Sequence, residues 1–197
     1  MIKGSKLRKA DHPIDDIFID RWSPRAMSGE EIPEAELMSL FEAARWAPSS
    51  NNNQPLRILY GRRNTKHWPL FFNLLADSNR IWAGQASALL VMVSKNTFDN
   101  GKPSRTHSYD AGAAWENLAL QGSLRGYVVH GMQGFDYELA RSSLNIPDGF
   151  TVEAMAAIGL PGNKEDLPDY LREREVPNER RKLAETVFEG PWAAPVL

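Results

Sequence analysis

The chain contains no cysteine among its 197 residues, and this absence removes several classes of site. Disulfide bonds, thiolate metal sites, iron–sulfur clusters and a cysteine nucleophile are all excluded. The four histidines lie far apart in the sequence and lack the short spacing of metal ligands, so we expect no metal site. They are His12, His67, His107 and His130.

The chain also lacks an excess of charge of one sign and a long apolar run. Its formal net charge is −2, which argues against nucleic acid or an anionic membrane as the main partner. No segment approaches the roughly 20 apolar residues that a membrane helix requires. The first 13 residues are charged and have no apolar stretch of the signal-peptide kind. We therefore expect a soluble, cytoplasmic protein with neither a nucleic-acid nor a membrane partner.

Two common nucleotide-binding loops are missing as well. The sequence has neither the GxGxxG fingerprint of a dinucleotide-binding fold nor a P-loop. A nucleotide bound to this chain must therefore be held in another way.

A short basic segment near the N-terminus has the features of a phosphate grip. It reads Arg21-Trp22-Ser23-Pro24-Arg25. Pro24 biases Ser23 toward an extended backbone, and in an extended segment residues two apart share a face. Arg21, Ser23 and Arg25 would then line one face, with Trp22 on the other. Two guanidinium groups and a hydroxyl suit a dianionic phosphate.

A second polar segment follows about two dozen residues later. Residues 48–55 read PSSNNNQP, a run of small hydrogen-bonding side chains between two prolines. Either segment alone is more often an ordinary loop or turn. Their occurrence together, on either side of one amphipathic helix over residues 33–47, favours a site that reads a polar ring system edge-on.

Apolar periodicity predicts alternating helices and strands in one domain spanning residues 1–197. The predicted helices are 33–47, 68–76, 109–125 and 137–145, and the predicted strands are 56–60, 87–94, 126–131 and 154–160. This order indicates an α/β or α+β domain with helices against one central sheet. Residues 1–13 are expected to form a polar arm. The tail over 189–197, with Trp192, Val196 and Leu197, is expected to pack on a partner subunit.

At these motifs the sequence resembles the FMN-dependent nitroreductase family, over nearly the whole chain. The resemblance rests on an ordered series of short motifs. They are Arg-x-Ser-x-Arg at 21–25, Ala-Pro-Ser-Ser-x-Asn-x-Gln-Pro at 47–55, Asn79-x-x-Trp82, the helix with Asn117, strand 126–131 leading to Gly134-Phe135, Ile158-Gly159-Leu160-Pro161, and the basic segment 180–183. The resemblance implies a three-layer α+β fold with a central mixed sheet flanked by helices. It further implies a homodimer that holds two FMN molecules at its interface.

The resemblance also implies roles for particular residues on the phosphate side of the cofactor. Arg21, Ser23 and either Arg180 or Arg181 would hold the FMN phosphate, with the backbone of Trp22 contributing. The resemblance leaves open whether Arg180 or Arg181 contacts the phosphate.

Other residues would contact the remaining parts of FMN. Arg25 would lie near N1 and O2 of the flavin, and Asn79 near the pyrimidine edge. The 48–54 loop of the other subunit would reach the ribityl chain and the pyrimidine ring. Pro161 and Gly162 would lie along the flavin near N5. The residues implied from the 48–54 loop are Pro48, Ser49, Ser50, Asn52 and Gln54.

The implied reaction is ping-pong hydride transfer from NAD(P)H through FMN to a nitroaromatic, quinone or similar acceptor, with no protein acid or base required. Three alternatives stay open. The first is an enzyme that does not reduce nitro compounds: a flavin-dependent reductase of a quinone, an enone or a halogenated aromatic, or an enzyme that consumes its own flavin. The second is a flavin-binding storage or regulatory protein without turnover. The third is an interaction module that binds no flavin.

Several side chains allow two interpretations. Trp68, Phe71 and Phe72 either cover the substrate pocket or belong to the core. His107 and Asp110 would form either a base and its orienting group or a polar cap at a loop-to-helix junction. We favour the polar cap. His130 lies in a predicted strand near the expected flavin plane. Arg62 and Arg63 do not indicate whether NADH or NADPH is the preferred electron donor.

Overall fold

The computed structural model describes residues 2–192, which form an α+β fold. The bounds of its helices and strands, in chain order, are as follows. They are α1 Asp16–Asp20, α2 Glu34–Arg45, β1 Leu56–Arg62, α3 Trp68–Phe72, α4 Asp77–Ala83, β2 Ala88–Lys95, α5 His107–Leu124, β3 Val128–Met132, α6 Tyr137–Ser143, β4 Phe150–Gly159 and α7 Asp169–Arg172. No helix in this part of the chain is long and apolar enough to cross a bilayer.

The four strands form one sheet in the order β1-β2-β4-β3. All three neighbouring pairs in the described sheet are antiparallel, so the expected mixture of parallel and antiparallel pairs is wrong. The reason lies in strand order. Since β2 and β3 are both antiparallel to β4, they run parallel to each other, and α5 connects them as in a parallel crossover. β4 occupies the position between them.

Helices cover both faces of this sheet, as the three-layer prediction requires. The alternate side chains of β2 face opposite ways, with Leu89 and Val91 in one apolar cluster and Leu90 and Met92 in the other. α2 and α5 contribute to the second cluster, and α3, α4 and α6 contribute to the first. A strand buried on both faces needs no polar alternation, which explains the continuous apolar run of β2.

The helix predicted over 68–76 is shorter than expected, and a further helix that was not predicted follows it. α3 ends at Phe72, and a second helix, α4, begins at Asp77. Between them the chain pairs with a distant loop: Leu75 forms a bridge with Phe135, and the Ala76 N–H donates to the Gly134 carbonyl at 3.0 Å. These tertiary backbone bonds replace the helical ones, which local periodicity could not indicate.

The C-terminal tail is described as far as Trp192. Its indole is 81% exposed and lies 5.3 Å from the ring of Phe188. Val196 and Leu197, which were expected to pack on a partner, lie outside the described residues.

Candidate functional site

The basic motif runs extended beside the turn that follows β4. Burial alternates along it: Trp22 and Pro24 are buried, whereas Arg21, Ser23 and Arg25 are half-buried. This is the period of two that Pro24 predicts for an extended segment. The three polar side chains therefore share one side of the segment.

Backbone contacts fix the motif against the Pro161 turn. Met27 forms an antiparallel bridge with Pro161, and the Gly162 N–H donates to the Ala26 carbonyl at 3.0 Å. A Cβ on Gly162 would lie 2.5 Å from both the carbonyl carbon and the carbonyl oxygen of Met27. Only glycine allows the two backbones to approach this closely.

The three polar side chains of the motif open into a cavity of about 430 Å³, here called the arginine cavity. Its walls combine the basic motif with the N-terminal arm, β3 and the segment after α7. The lining residues are Arg8, Arg21, Trp22, Ser23, Arg25, His130, Glu173, Arg174, Val176, Asn178 and Arg180. Arg180 thus reaches this cavity, whereas Arg181 is exposed and is not among its lining residues.

The charge of the arginine cavity is strongly positive, because five arginines face one carboxylate, that of Glu173. Burial lowers the pKa of Arg8, and the neighbouring Arg180 and Arg21 lower it further. The buried Nε of Arg21 has no hydrogen-bond partner within residues 2–192; its nearest carboxylate oxygen, on Glu116, is 3.4 Å away. A buried donor that makes an ion pair but no hydrogen bond, among repelling cations, suits a dianion such as a phosphate.

Arg8 and Arg174 are members of this cavity that the sequence did not indicate. Arg8 Nε donates to the Asn178 carbonyl at 2.7 Å, and Nη1 donates to the Arg21 carbonyl at 3.0 Å. The supposed polar arm therefore links the basic motif to the C-terminal segment. The contact between Arg8 and Asn178 spans 170 residues, so no local pattern could reveal it.

His130 supports the motif from β3. Its Nδ1 lies 2.8 Å from the Pro24 carbonyl oxygen, and its ring lies 4.5 Å from that of Trp82. The pKa of His130 is lowered to about 4, mainly by burial and also by the charge of Arg25, against the raising effect of the bond to Pro24. At neutral pH the imidazole is uncharged and donates Nδ1–H to the carbonyl.

On the other side of the motif lies a cavity of about 390 Å³, here called the Pro161 cavity. It is lined by Ile2, Trp22, Pro24, Ala26, Pro161, Gly162, Asn163, Lys164 and Glu175. Trp22 and Pro161 give it apolar walls, and Glu175 supplies a buried carboxylate. The structure thus brings the basic motif, the Pro161 turn and the segment after α7 together in one chain.

The second motif lies elsewhere. Pro48, Ser49 and Gln54 line a separate cavity of about 360 Å³, which shares no lining residue with the arginine cavity or the Pro161 cavity. The Ser50 N–H donates to Asp110 Oδ2 at 3.1 Å, and the Gln54 N–H donates to Ser49 Oγ at 2.9 Å. These bonds hold the loop against the start of α5.

The backbone of this loop is unusual. Asn51, Asn52 and Gln54 all have positive φ, at 51°, 52° and 47°. This left-handed region is uncommon for residues other than glycine, and it is least costly for asparagine. All three side chains are exposed. The loop is thus held in a strained form that presents polar groups to the outside of the chain.

Asn79 does not line either cavity beside the basic motif. Its Nδ2 donates to the Gly134 carbonyl at 2.9 Å, and its Oδ1 accepts from Trp82 Nε1 at 3.3 Å. The first of these bonds fastens α4 to the loop after β3, and the second lies within α4.

The aromatic residues of α3 are largely structural. Phe71 is buried in the core, and Trp68 and Phe72 pack partly against it. Arg63 lies 5.2 Å from the Trp68 ring centroid and donates to the Ala86 carbonyl at 3.0 Å. Arg62 pairs with Glu34 at 2.9 Å. These contacts give the two arginines roles within the fold.

His107 and Asp110 do not form an acid–base pair. His107 Nδ1 lies 2.7 Å from Ser94 Oγ and 3.5 Å from Glu153 Oε1. Asp110 instead accepts from the Ser50 N–H, which supports the interpretation as a polar junction at the start of α5. Glu153 is the extra residue of a β-bulge, because the register between β2 and β4 shifts at this point.

Comparisons with known proteins agree with this arrangement. The model of the nitroreductase family matches residues 19–67, a stretch that includes both motifs. A solved structure described as an oxidoreductase containing FMN is 46% identical. It has a TM-score of 0.93 and covers 98% of this chain and 100% of its own.

Two curated proteins are also similar. An uncharacterised 15.4 kDa protein encoded in the ask 5′ region of Mycolicibacterium smegmatis is 34% identical over 119 residues, which cover 58% of this chain and 78% of that protein. A Streptomyces coelicolor protein with the provisional name NADH dehydrogenase/NAD(P)H nitroreductase SCO7141 is 29% identical over 87 residues. This chain spans less than half of that protein's length, 43%, and the match covers 44% of this chain.

Proposed function

The chain belongs to the nitroreductase family, and we propose that it is an FMN-dependent NAD(P)H oxidoreductase that passes a hydride to nitroaromatic, quinone or similar acceptors. The arginine cavity is the observation that carries the proposal. It offers five guanidinium groups to a dianion, one of them with a buried Nε that makes no hydrogen bond within residues 2–192. Charge-assisted hydrogen bonds of this kind are among the strongest in proteins.

In this proposal Arg21, Ser23 and Arg180 hold the FMN phosphate. Arg180 is preferred to Arg181 because it lines the arginine cavity. FMN, when bound, supplies the hydride chemistry. Arg25 supplies positive charge beside the flavin, which favours its reduced, anionic form. Pro161 and Gly162 provide a rigid edge that their bridge to Met27 fixes in place.

The second motif leads us to propose a homodimer. Within one chain the 48–54 loop lines a cavity separate from the arginine cavity and from the Pro161 cavity. A loop held in a strained form with its polar groups outward is suited to a site completed by another chain. Trp46 and Tyr109, beside this loop, are 72% and 81% exposed, and such apolar surface is typical of an interface. In the proposed dimer, Ser49, Ser50 and Asn52 of each chain serve the other's FMN.

Asn79 is proposed to contact the flavin through a rearranged side chain, since both its polar atoms are already bonded. We further propose that residues 1–197 form a single FMN-binding domain. The preference for NADH or NADPH stays open, because Arg62 and Arg63 are engaged within the fold.

One experiment tests the proposal directly. The purified protein is stripped of ligands, incubated with FMN and examined by absorbance and by light scattering after size exclusion. It is then titrated anaerobically with NADH and NADPH, and reoxidised with a panel of nitroaromatic and quinone acceptors. We expect a yellow dimer that a nicotinamide bleaches and an acceptor restores. A colourless monomer that takes up no FMN would refute the proposal, and a yellow protein that no nicotinamide bleaches would indicate flavin storage.

A further inference from the structure

Glu175 is a buried carboxylate that contacts the basic motif from the far end of the chain. It follows α7 and is 4% exposed. Its Oε1 accepts from the backbone N–H of Arg25 at 2.7 Å and from that of Ala26 at 2.8 Å. One oxygen therefore fixes two consecutive amides of a segment about 150 residues away.

Holding these amides does not require a charge. The side-chain carbonyl of a glutamine could accept the same two hydrogen bonds. The second oxygen of Glu175, Oε2, is buried and has no hydrogen-bond partner within residues 2–192. An unpaired buried oxygen on a charged group carries a desolvation cost that a neutral side chain would largely avoid. The negative charge therefore calls for a separate explanation.

Arg25 provides that explanation. Its guanidinium makes neither a hydrogen bond nor an ion pair to the described part of the chain. Burial lowers the pKa of Arg25, the charge of Glu175 acts in the opposite direction, and Arg174 adds to the lowering. Glu175 is thus the carboxylate that balances a half-buried guanidinium surrounded by further arginines.

We propose that Glu175 is a positioning residue for Arg25: it fixes the Arg25 backbone beside the Pro161 turn and offsets part of the positive charge that Arg25 presents to the flavin. The inference rests on the proposed function, because it takes Arg25 to lie beside the flavin. Since positive charge there favours the anionic reduced flavin, Glu175 restrains that preference. Removing its charge without removing its acceptor oxygen should therefore favour the reduced form.

The test compares two variants of the full-length protein. Glu175→Gln keeps an acceptor for the two amides and removes the charge, whereas Glu175→Ala removes both. Glu138→Gln makes the same charge change at an exposed position on α6 and serves as the control. The first readout, made without FMN, is hydrogen exchange of the Arg25 and Ala26 amides. The second is the ratio of FMN affinities in the reduced and oxidised states, obtained from the midpoint potential.

We expect Glu175→Gln to keep both amides protected and to shift the affinity ratio about three- to tenfold toward reduced FMN. A tenfold shift corresponds to about 30 mV for a two-electron couple. We expect Glu175→Ala to exchange both amides at least tenfold faster and to bind FMN at least tenfold more weakly. The control should match the wild type in both readouts.

Each half of the inference can fail separately. A wild-type midpoint potential in Glu175→Gln overturns the charge role, and wild-type protection of both amides in Glu175→Ala overturns the positioning role. If the alanine variant does not fold, Glu175→Met tests the positioning role instead. Faster exchange of the two amides in that variant supports the role, and unchanged exchange overturns it. If the wild type itself binds no FMN, the proposed function fails and the charge role with it, while amide exchange still decides the positioning role.

Discussion

The two polar motifs of this chain have opposite environments. The basic motif is enclosed by its own chain: Arg8, His130 and Glu175 bond to its backbone from three distant segments. The 48–54 loop is held at its base by Ser49 and Asp110 and presents Asn51 and Asn52 outward. A binding group that is finished within one chain can be rigid before its ligand arrives. In the proposed dimer the group that serves the other chain must remain exposed until that chain binds, and its backbone is strained.

The largest expected effect concerns the enclosed motif. Replacing Arg21 with alanine removes charge-assisted hydrogen bonds worth about 1.5–3 kcal/mol, so FMN affinity should fall by roughly one to two orders of magnitude. The protein should then purify largely colourless. Affinity is measured by fluorescence titration of the ligand-free protein. Arg180→Ala and Arg181→Ala form a matched pair: the first should weaken binding about tenfold and the second less than twofold. A fully flavin-loaded Arg21→Ala would contradict the assignment.

The close approach at the Pro161 turn predicts a second large effect. The Cβ of Gly162→Ala would meet the Met27 carbonyl at 2.5 Å, and backbone atoms cannot move aside as a flexible side chain can. We expect a loss of about 2 kcal/mol in the free energy of unfolding, measured by urea denaturation. Gly101→Ala is the comparison variant. Its added Cβ would meet no neighbouring atom, but its φ is +82°, so its loss of stability measures backbone strain without a collision. A Gly162→Ala protein of unchanged stability would show that the two segments separate easily.

His130 predicts that the enclosed motif is sensitive to acid. Its pKa is about 4 in the folded chain and 6.5 ordinarily, so between these values the unfolded chain binds more protons. The contribution of neutral His130 to the free energy of unfolding is therefore complete above pH 6.5 and is lost as the pH falls toward 4. The expected loss from pH 7 to pH 5 is about 2 kcal/mol.

The measurement for His130 is urea denaturation of the FMN-free protein at both pH values. His130→Asn keeps an N–H donor for the Pro24 carbonyl but cannot titrate, so its stability should fall by about 2 kcal/mol less over the same interval. His12→Asn makes the same substitution at an exposed site and serves as the control. Equal acid sensitivity in the wild type and His130→Asn would place the titrating group elsewhere.

The smallest effect concerns the exposed loop and has the opposite sign. Gln54→Gly relieves left-handed strain of about 1–2 kcal/mol, but it adds freedom to the unfolded chain. A net gain of about 0.5 kcal/mol in the unfolding free energy of the FMN-free protein is expected, together with weaker FMN binding. Asn145→Gly, also at positive φ and exposed, should show no change in FMN binding. A Gln54→Gly protein that binds FMN as the wild type does would remove this loop side chain from the site.

Prediction from sequence succeeded where the signal was local. Apolar periodicity placed β1 and α5, and Pro24 predicted the alternation along the basic motif because its effect acts on the neighbouring residue. Long-range contacts were not accessible. Glu175 and Arg174 lie in a charged segment that reads as a solvated face, and nothing local shows that Glu175 is buried. The antiparallel pairing of the sheet depends on where β4 inserts, which periodicity does not encode.

The position of β4 also governs how the chain can assemble as it leaves the ribosome. β2, the strand buried on both faces, can pair with β1 early, but its other edge has no neighbour until residues 150–159 emerge. β3 has no described strand partner at all before that moment. A nascent or truncated chain ending before Phe150 would expose two open, apolar strand edges, which are templates for aggregation. We therefore expect this protein to have most need of a chaperone between the synthesis of β2 and that of β4, over residues 95–150.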